Sequence, residues 1–119
     1  MKKILAAVAV AFVAFGCSVG VSQNSLAGEY TVRGSNPGSA GSGSYTGTVT
    51  ISENNRNYRL IYRIGTTLTS AIGFVQNGVL VVGFDCGVTA YEVRGRVLEG
   101  TWARCEPGDF RGSETLTRK

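Results

Sequence analysis

The sequence predicts an all-β domain, a small eight-stranded antiparallel up-and-down β-barrel behind an N-terminal signal peptide; a two-sheet β-sandwich is the alternative. Three observations carry that expectation. From residue 27 onward no window repeats apolar residues at i, i+3, i+4 and i+7, as an amphipathic helix requires. Val, Ile, Thr and Tyr dominate, which is strand composition. Turn signals recur at short spacing between alternating runs, the pattern of small barrels and sandwiches.

The elements follow in order. Residues 29–33 form the first strand. Residues 34–44, rich in Gly and Ser, read as a flexible loop. Residues 45–52 alternate, with Tyr45, Gly47, Val49 and Ile51 on one face and Thr46, Thr48, Thr50 and Ser52 on the other. A turn at 54–57 leads into 58–64, where Tyr58, Leu60, Tyr62 and Ile64 point inward and Arg59 and Arg63 outward. Strands at 68–76, 79–84, 88–94, 97–104 and 110–117 complete the set. Asn77-Gly78 between apolar runs is a type I′ hairpin turn, and Gly95-Arg96 places Gly where a type II′ turn needs it. Glycines inside the strands suit a sheet that bends to close. Consecutive hairpins with short links favour a meander.

The N-terminus is a different object. Lys2-Lys3 precede an apolar run from Ile4 to Phe15, which ends Phe15-Gly16-Cys17. That run of about 12 residues is short of the roughly 20 needed to span a bilayer and suits an export signal. A cysteine directly after it is the layout of a bacterial lipoprotein signal. The expected organisation is a signal peptide at 1–16, lipidation at Cys17, a polar tether at 17–27 and the barrel domain at 28–119. Ordinary cleavage after Ser25-Leu26-Ala27, giving a soluble periplasmic or secreted protein, is the alternative. The expected location is the bacterial cell envelope, lipid-anchored, with a lean to the outer membrane because Ser18 supplies no acidic retention signal.

Lipidation of Cys17 resolves the odd count of three cysteines into one acylated residue and one pair. A two-residue turn at 95–96 sets Arg94 opposite Val97, and the same register sets Cys86 opposite Cys105. Directly opposed residues of this kind have Cα atoms about 5.5 Å apart, within disulfide range, and export supplies an oxidising compartment. The register also lays Tyr91 across Gly100, puts Trp102 in the core near one barrel end, and opposes Glu92 to Glu99 on the outer face. That like-charge pair is unfavourable unless Arg94 or Arg59 relieves it.

Composition narrows the chemistry. The net charge is +4, and without Lys2 and Lys3 ten basic side chains face eight acidic ones, a balance of +2. That is no nucleic-acid footprint. The chain has no His, which removes imidazole bases, Ser-His and Cys-His nucleophiles and His-ligated zinc. Two cysteines alone do not complete a metal site. Carboxylates remain, but Asp85, Glu106 and Asp109 read as turn residues, and no pair stands out for glycoside hydrolysis. No enzyme, metal or cofactor is expected.

The order of motifs Gly28-Glu29-Tyr30, Tyr45-Thr46-Gly47-Thr48-Val49-Thr50-Ile51, Ile64-Gly65, Val79–Gly83, Gly87-Val88-Thr89-Ala90-Tyr91, Leu98-Glu99-Gly100-Thr101-Trp102 and Gly112-Ser113-Glu114 resembles a group of small secreted bacterial proteins labelled fibronectin-binding. The Gly-Thr-Trp strand is also similar, more weakly, to avidin- and lipocalin-type barrels. The resemblance implies an exported β domain with an envelope or host-matrix protein as partner. The functional expectation is a non-catalytic binding module held to the membrane by its lipid, with residues 34–44 and the turns as recognition edge. The alternative is a small-ligand carrier using the barrel interior. Tyr58, Tyr62, Tyr91 and Trp102 are the candidate ligand or core aromatics. With Leu60 they supply enough bulk to fill an eight-stranded interior, which ranks the carrier second.

Overall fold

A computed structural model describes residues 25–36, 43–105 and 111–119. The expectations for residues 1–16, for Cys17, for the tether up to residue 24 and for Glu106 and Asp109 lie outside the described residues. Eight strands, β1 (Gly28–Ser35), β2 (Ser44–Asn54), β3 (Asn57–Ile64), β4 (Thr67–Gln76), β5 (Val79–Phe84), β6 (Gly87–Arg94), β7 (Val97–Arg104) and β8 (Arg111–Arg118), pair antiparallel in chain order. β8 returns to β1, with Val32 opposite Leu116 and Gly34 opposite Glu114. That pairing closes the sheet into a barrel and rules out the two-sheet sandwich.

Strands β5 and β7 have the expected bounds. β1 and β2 run further than composition implies. Gly34, Ser35 and Ser44 were expected in a loop, but Gly34 pairs with Tyr45 and Ser35 with Ser44. β1 is held on both sides, by β2 and β8, so its ladder continues through residues whose own preference is for turns.

Two-residue turns link β2 through β7. Asn77 and Gly78 both adopt positive φ, 54° and 78°, as a type I′ turn requires. At residues 95–96 only Gly95 does, at 65°, as in type II′. The strands alternate apolar inward and polar outward over much of the wall, as in buried Val32, Val49, Leu60 and Leu116 against exposed Thr31, Arg59 and Arg63. A membrane-spanning barrel has the opposite order. On the outer face Arg94 lies 2.5 Å from Glu92 and 3.4 Å from Glu99, relieving the like-charge pair opposed in the β6–β7 ladder.

The barrel has two unlike ends. At the end where β1 begins, Leu26 is only 5% exposed and belongs to the core, although sequence assigns it to the tether. Its carbonyl accepts from the Tyr30 hydroxyl at 2.9 Å, and its N–H donates to the Tyr58 hydroxyl at 3.3 Å. Arg118 donates to the carbonyls of Ala27 and Ser25. A single apolar side chain thus plugs this end, and its flanking backbone is satisfied by the barrel. Above it Ile51, Leu60, Leu80, Leu98 and Leu116 are essentially inaccessible.

Candidate functional site

The opposite end is where β1, β3, β5 and β7 finish. Cys86, in the β5–β6 turn, is bonded there to Cys105, just past β7, with Cα atoms 5.5 Å apart. The Cys105 N–H donates to the Cys86 carbonyl at 3.0 Å. The bridge therefore extends the β6–β7 ladder by one rung, as the hairpin register requires.

Inside this mouth lies a cavity of about 270 Å³. Asn36 and Arg104 stand at its rim, just beyond or at the ends of β1 and β7. Tyr45, Tyr62, Phe84 and Trp102 form aromatic walls, and Thr67, Thr69, Thr89, Ile64 and Glu114 complete it. The aromatic bulk does not fill the interior, because it is divided between levels. Tyr58 sits at the plugged end, bonded to Leu26. Tyr91 is fully buried beneath the cavity. Only Tyr62 and Trp102 of the four candidate aromatics line it.

Glycine sets where the rings go. Tyr91 lies across Gly100 as expected, and Trp102 lies across Gly112. A Cβ on Gly100 would stand 2.6 Å from the Tyr91 ring and from the Ala90 carbonyl, and one on Gly112 would overlap the Trp102 indole. Bare backbone on one strand receives the ring of the next, which lays these side chains against the wall.

The polar heart of the cavity is Glu114 on β8, 7% exposed. Tyr45 donates to one carboxylate oxygen and Tyr91 to the other, each at 2.7 Å. Tyr62 and Tyr91 share a 2.7 Å hydroxyl contact. Burial pushes the Glu114 pKa above the usual carboxyl range, and the two phenol donors pull it back. Burial, chiefly, raises Tyr62 and Tyr91, and the Glu114 charge adds to it. Tyr45 is raised by burial and by Glu114, with the Trp102 indole acting the other way. Among the described residues the ion pairs are those of Arg94 with Glu92 and Glu99; none involves Glu114.

Sequence reasoning passed over Tyr45, Phe84, Thr89 and Glu114 as site residues. The signal for Glu114 is its phase. Gly112 and Leu116 face inward on β8, so Glu114 between them must face inward too, an acid on an apolar phase. Outside the barrel, Leu68, Ile72 and Phe74 on β4 are 66%, 56% and 46% exposed. Ile72 and Phe74 lie beside Gly83 and Val81 of β5, which pair with Val88 and Ala90 of β6, so one flank carries an apolar stripe. The chain matches no model of a known protein family, and no curated protein matches it.

Proposed function

We propose that this protein is a lipid-tethered, non-catalytic binding protein of the bacterial cell envelope whose barrel mouth holds one small ligand. The cavity of about 270 Å³ at the mouth carries this reading and moves the carrier role ahead of a purely protein-binding one. Its size is at the lower edge of small-molecule sites. Aromatic walls around a few convergent polar groups are the usual lining of such sites. The Cys86–Cys105 bridge ties the β5–β6 turn and the β7 end together beside the site.

The plugged end bears on the tether. Cleavage after Ala27 would discard Leu26 and the Ala27 carbonyl held by Arg118. Cleavage before Cys17 keeps both. The chain then meets the barrel at the end opposite the cavity, and the stretch from Cys17 to Ser25 reaches at most roughly 28 Å. A lipid at Cys17 would thus be attached through the end opposite the mouth.

Native intact mass of the protein purified from its own host, before and after reduction, tests the reading. The expected species is a chain starting at Cys17 with its lipid and a retained small molecule. A bare chain starting at Gly28 with nothing bound would refute it. The apolar stripe of Leu68, Ile72 and Phe74 favours a second reading, a docking face for an envelope or host-matrix protein. Binding to immobilised fibronectin that is lost in Ile72→Ser/Phe74→Ser would support it; no binding by the wild type, or undiminished binding by the variant, would sink it.

A further inference from the structure

The direction of every phenol proton at the site follows from the Glu114 carboxylate. An ionised carboxylate only accepts. Tyr91 has one proton and gives it to Glu114, so Tyr62 must donate to Tyr91. Tyr45 gives its proton to the other Glu114 oxygen. The hydroxyl protons are therefore spent within the network. With Glu114 ionised, what Tyr45, Tyr62 and Glu114 present to the cavity is lone pairs beside a buried negative charge that no described cation pairs with. Buried charges are ordinarily paired. Of the other polar groups in the lining, the Thr67, Thr69 and Thr89 hydroxyls carry no charge and Asn36 and Arg104 belong to the rim, whereas Glu114 lies three residues inside β8. The surrounding walls, Tyr62, Trp102, Phe84 and Tyr45, are rings whose faces attract cations.

We infer that the cavity takes a small organic cation, a protonated primary amine on an apolar or aromatic body, with its ammonium against Glu114 and its body between Trp102, Tyr62 and Phe84. This rests on the mouth being the ligand site. A volume of about 270 Å³ admits a single-ring amine. The ammonium supplies the three donors that the lone pairs lack and the positive charge that Glu114 lacks.

Benzylammonium, benzyl alcohol and benzoate share a body and differ in charge and donors. Trp102 is the sole tryptophan of the chain and lines the cavity, so its emission reports occupancy of this site. With the host-processed protein at pH 7.5, benzylammonium is expected to shift that emission saturably, and the alcohol and the acid to bind at least about tenfold more weakly. Glu114→Gln is expected to weaken benzylammonium by roughly 10- to 100-fold, the scale of a hydrogen bond to a charged group. A wild-type titration at pH 4 needs no variant. Around Glu114 stand Tyr45 from β2, Tyr91 from β6 and Trp102 from β7, with Tyr62 behind Tyr91 and Arg104 at the rim. The carboxyl, raised by burial, is the group protonated there, so benzylammonium is expected to bind more weakly than at pH 7.5. Equal or tighter binding of benzyl alcohol or benzoate would overturn the cationic class while leaving the mouth as a ligand site. No saturable response to any of the three would overturn both.

Discussion

Removing the Cys86–Cys105 bridge should lower the melting temperature by a calculable amount. The two residues are 19 apart in sequence with Cα atoms at 5.5 Å. That spacing is what an antiparallel ladder already imposes on opposed residues. The adjacent rung, Gly87 opposite Arg104, is paired without help. The bond therefore asks nothing of the folded backbone, and its effect falls on the unfolded chain. A closed loop of 19 residues gives about 11 cal/mol/K of lost unfolded-state entropy, or about 3.2 kcal/mol at 25 °C, in the chain-entropy account. For a domain of this size each kcal/mol corresponds to roughly 4–8 °C, so Cys86→Ser/Cys105→Ser should melt about 13–26 °C below the wild type. Thermal unfolding followed by far-UV circular dichroism measures this, with reduced wild-type protein as a second route to the same state. A shift under about 5 °C in both would refute the entropic account and imply that the unfolded hairpin already keeps these residues together.

Leu26→Ala should cost about 2–5 kcal/mol, the range for a buried leucine; a chemical-denaturation midpoint unchanged at equal slope would mean that the plug is dispensable. Gly100→Ala should destabilise by about 1–3 kcal/mol, since the new methyl meets both a ring and a backbone carbonyl at 2.6 Å; wild-type stability by the same denaturation would show that the Tyr91 ring can lift off the wall. Burial raises the Glu114 pKa from its ordinary 4.5, so the folded state holds that proton more tightly than the unfolded one, and stability falls as pH climbs from the unfolded value through the folded one. Glu114→Gln lacks this loss, so its melting temperature relative to wild type should be higher at pH 7 than at pH 4, and an identical difference at both pH values would contradict the raised carboxyl.

The barrel was legible because each hairpin carries its own register. Asn77-Gly78 and Gly95-Arg96 fixed two turns, and counting outward from the second placed Cys86 against Cys105, Tyr91 across Gly100 and Glu92 against Glu99, all as observed. Register is a local property once the turn type is known. Closure was not local. The β1–β8 pairing joins residues more than 70 apart, and it is this pairing that draws Gly34 and Ser35 out of a loop composition into strand. The cavity was illegible for a related reason. Summed over the sequence, the aromatic side chains look sufficient to fill the interior. Their heights along the axis depend on the stagger of strands around the closed sheet, and that stagger sends Tyr58 to the plugged end and lays Trp102 flat on Gly112. Leu26 was missed because one apolar residue after a polar stretch has no periodicity to betray it.

The two ends of the barrel divide the work of stability and recognition. The leucines and valines of the lower interior, with Leu26 beneath, are sealed from water, and each such side chain contributes on the order of 2 kcal/mol when fully buried. The upper interior gives part of that up. It leaves space unfilled and buries a carboxylate whose raised pKa records a cost at neutral pH. A closed barrel tolerates this because its backbone hydrogen bonds circle without an edge, and because a disulfide links two strand ends at the same end of the barrel. A core selected for stability alone would place an apolar residue between Gly112 and Leu116, in phase with the leucines below. Glu114 stands there instead, with three tyrosines arranged around its charge. The arrangement makes sense when what completes it arrives from outside, and it ties the pH-dependent melting difference expected of Glu114→Gln to the loss of amine binding in the same variant.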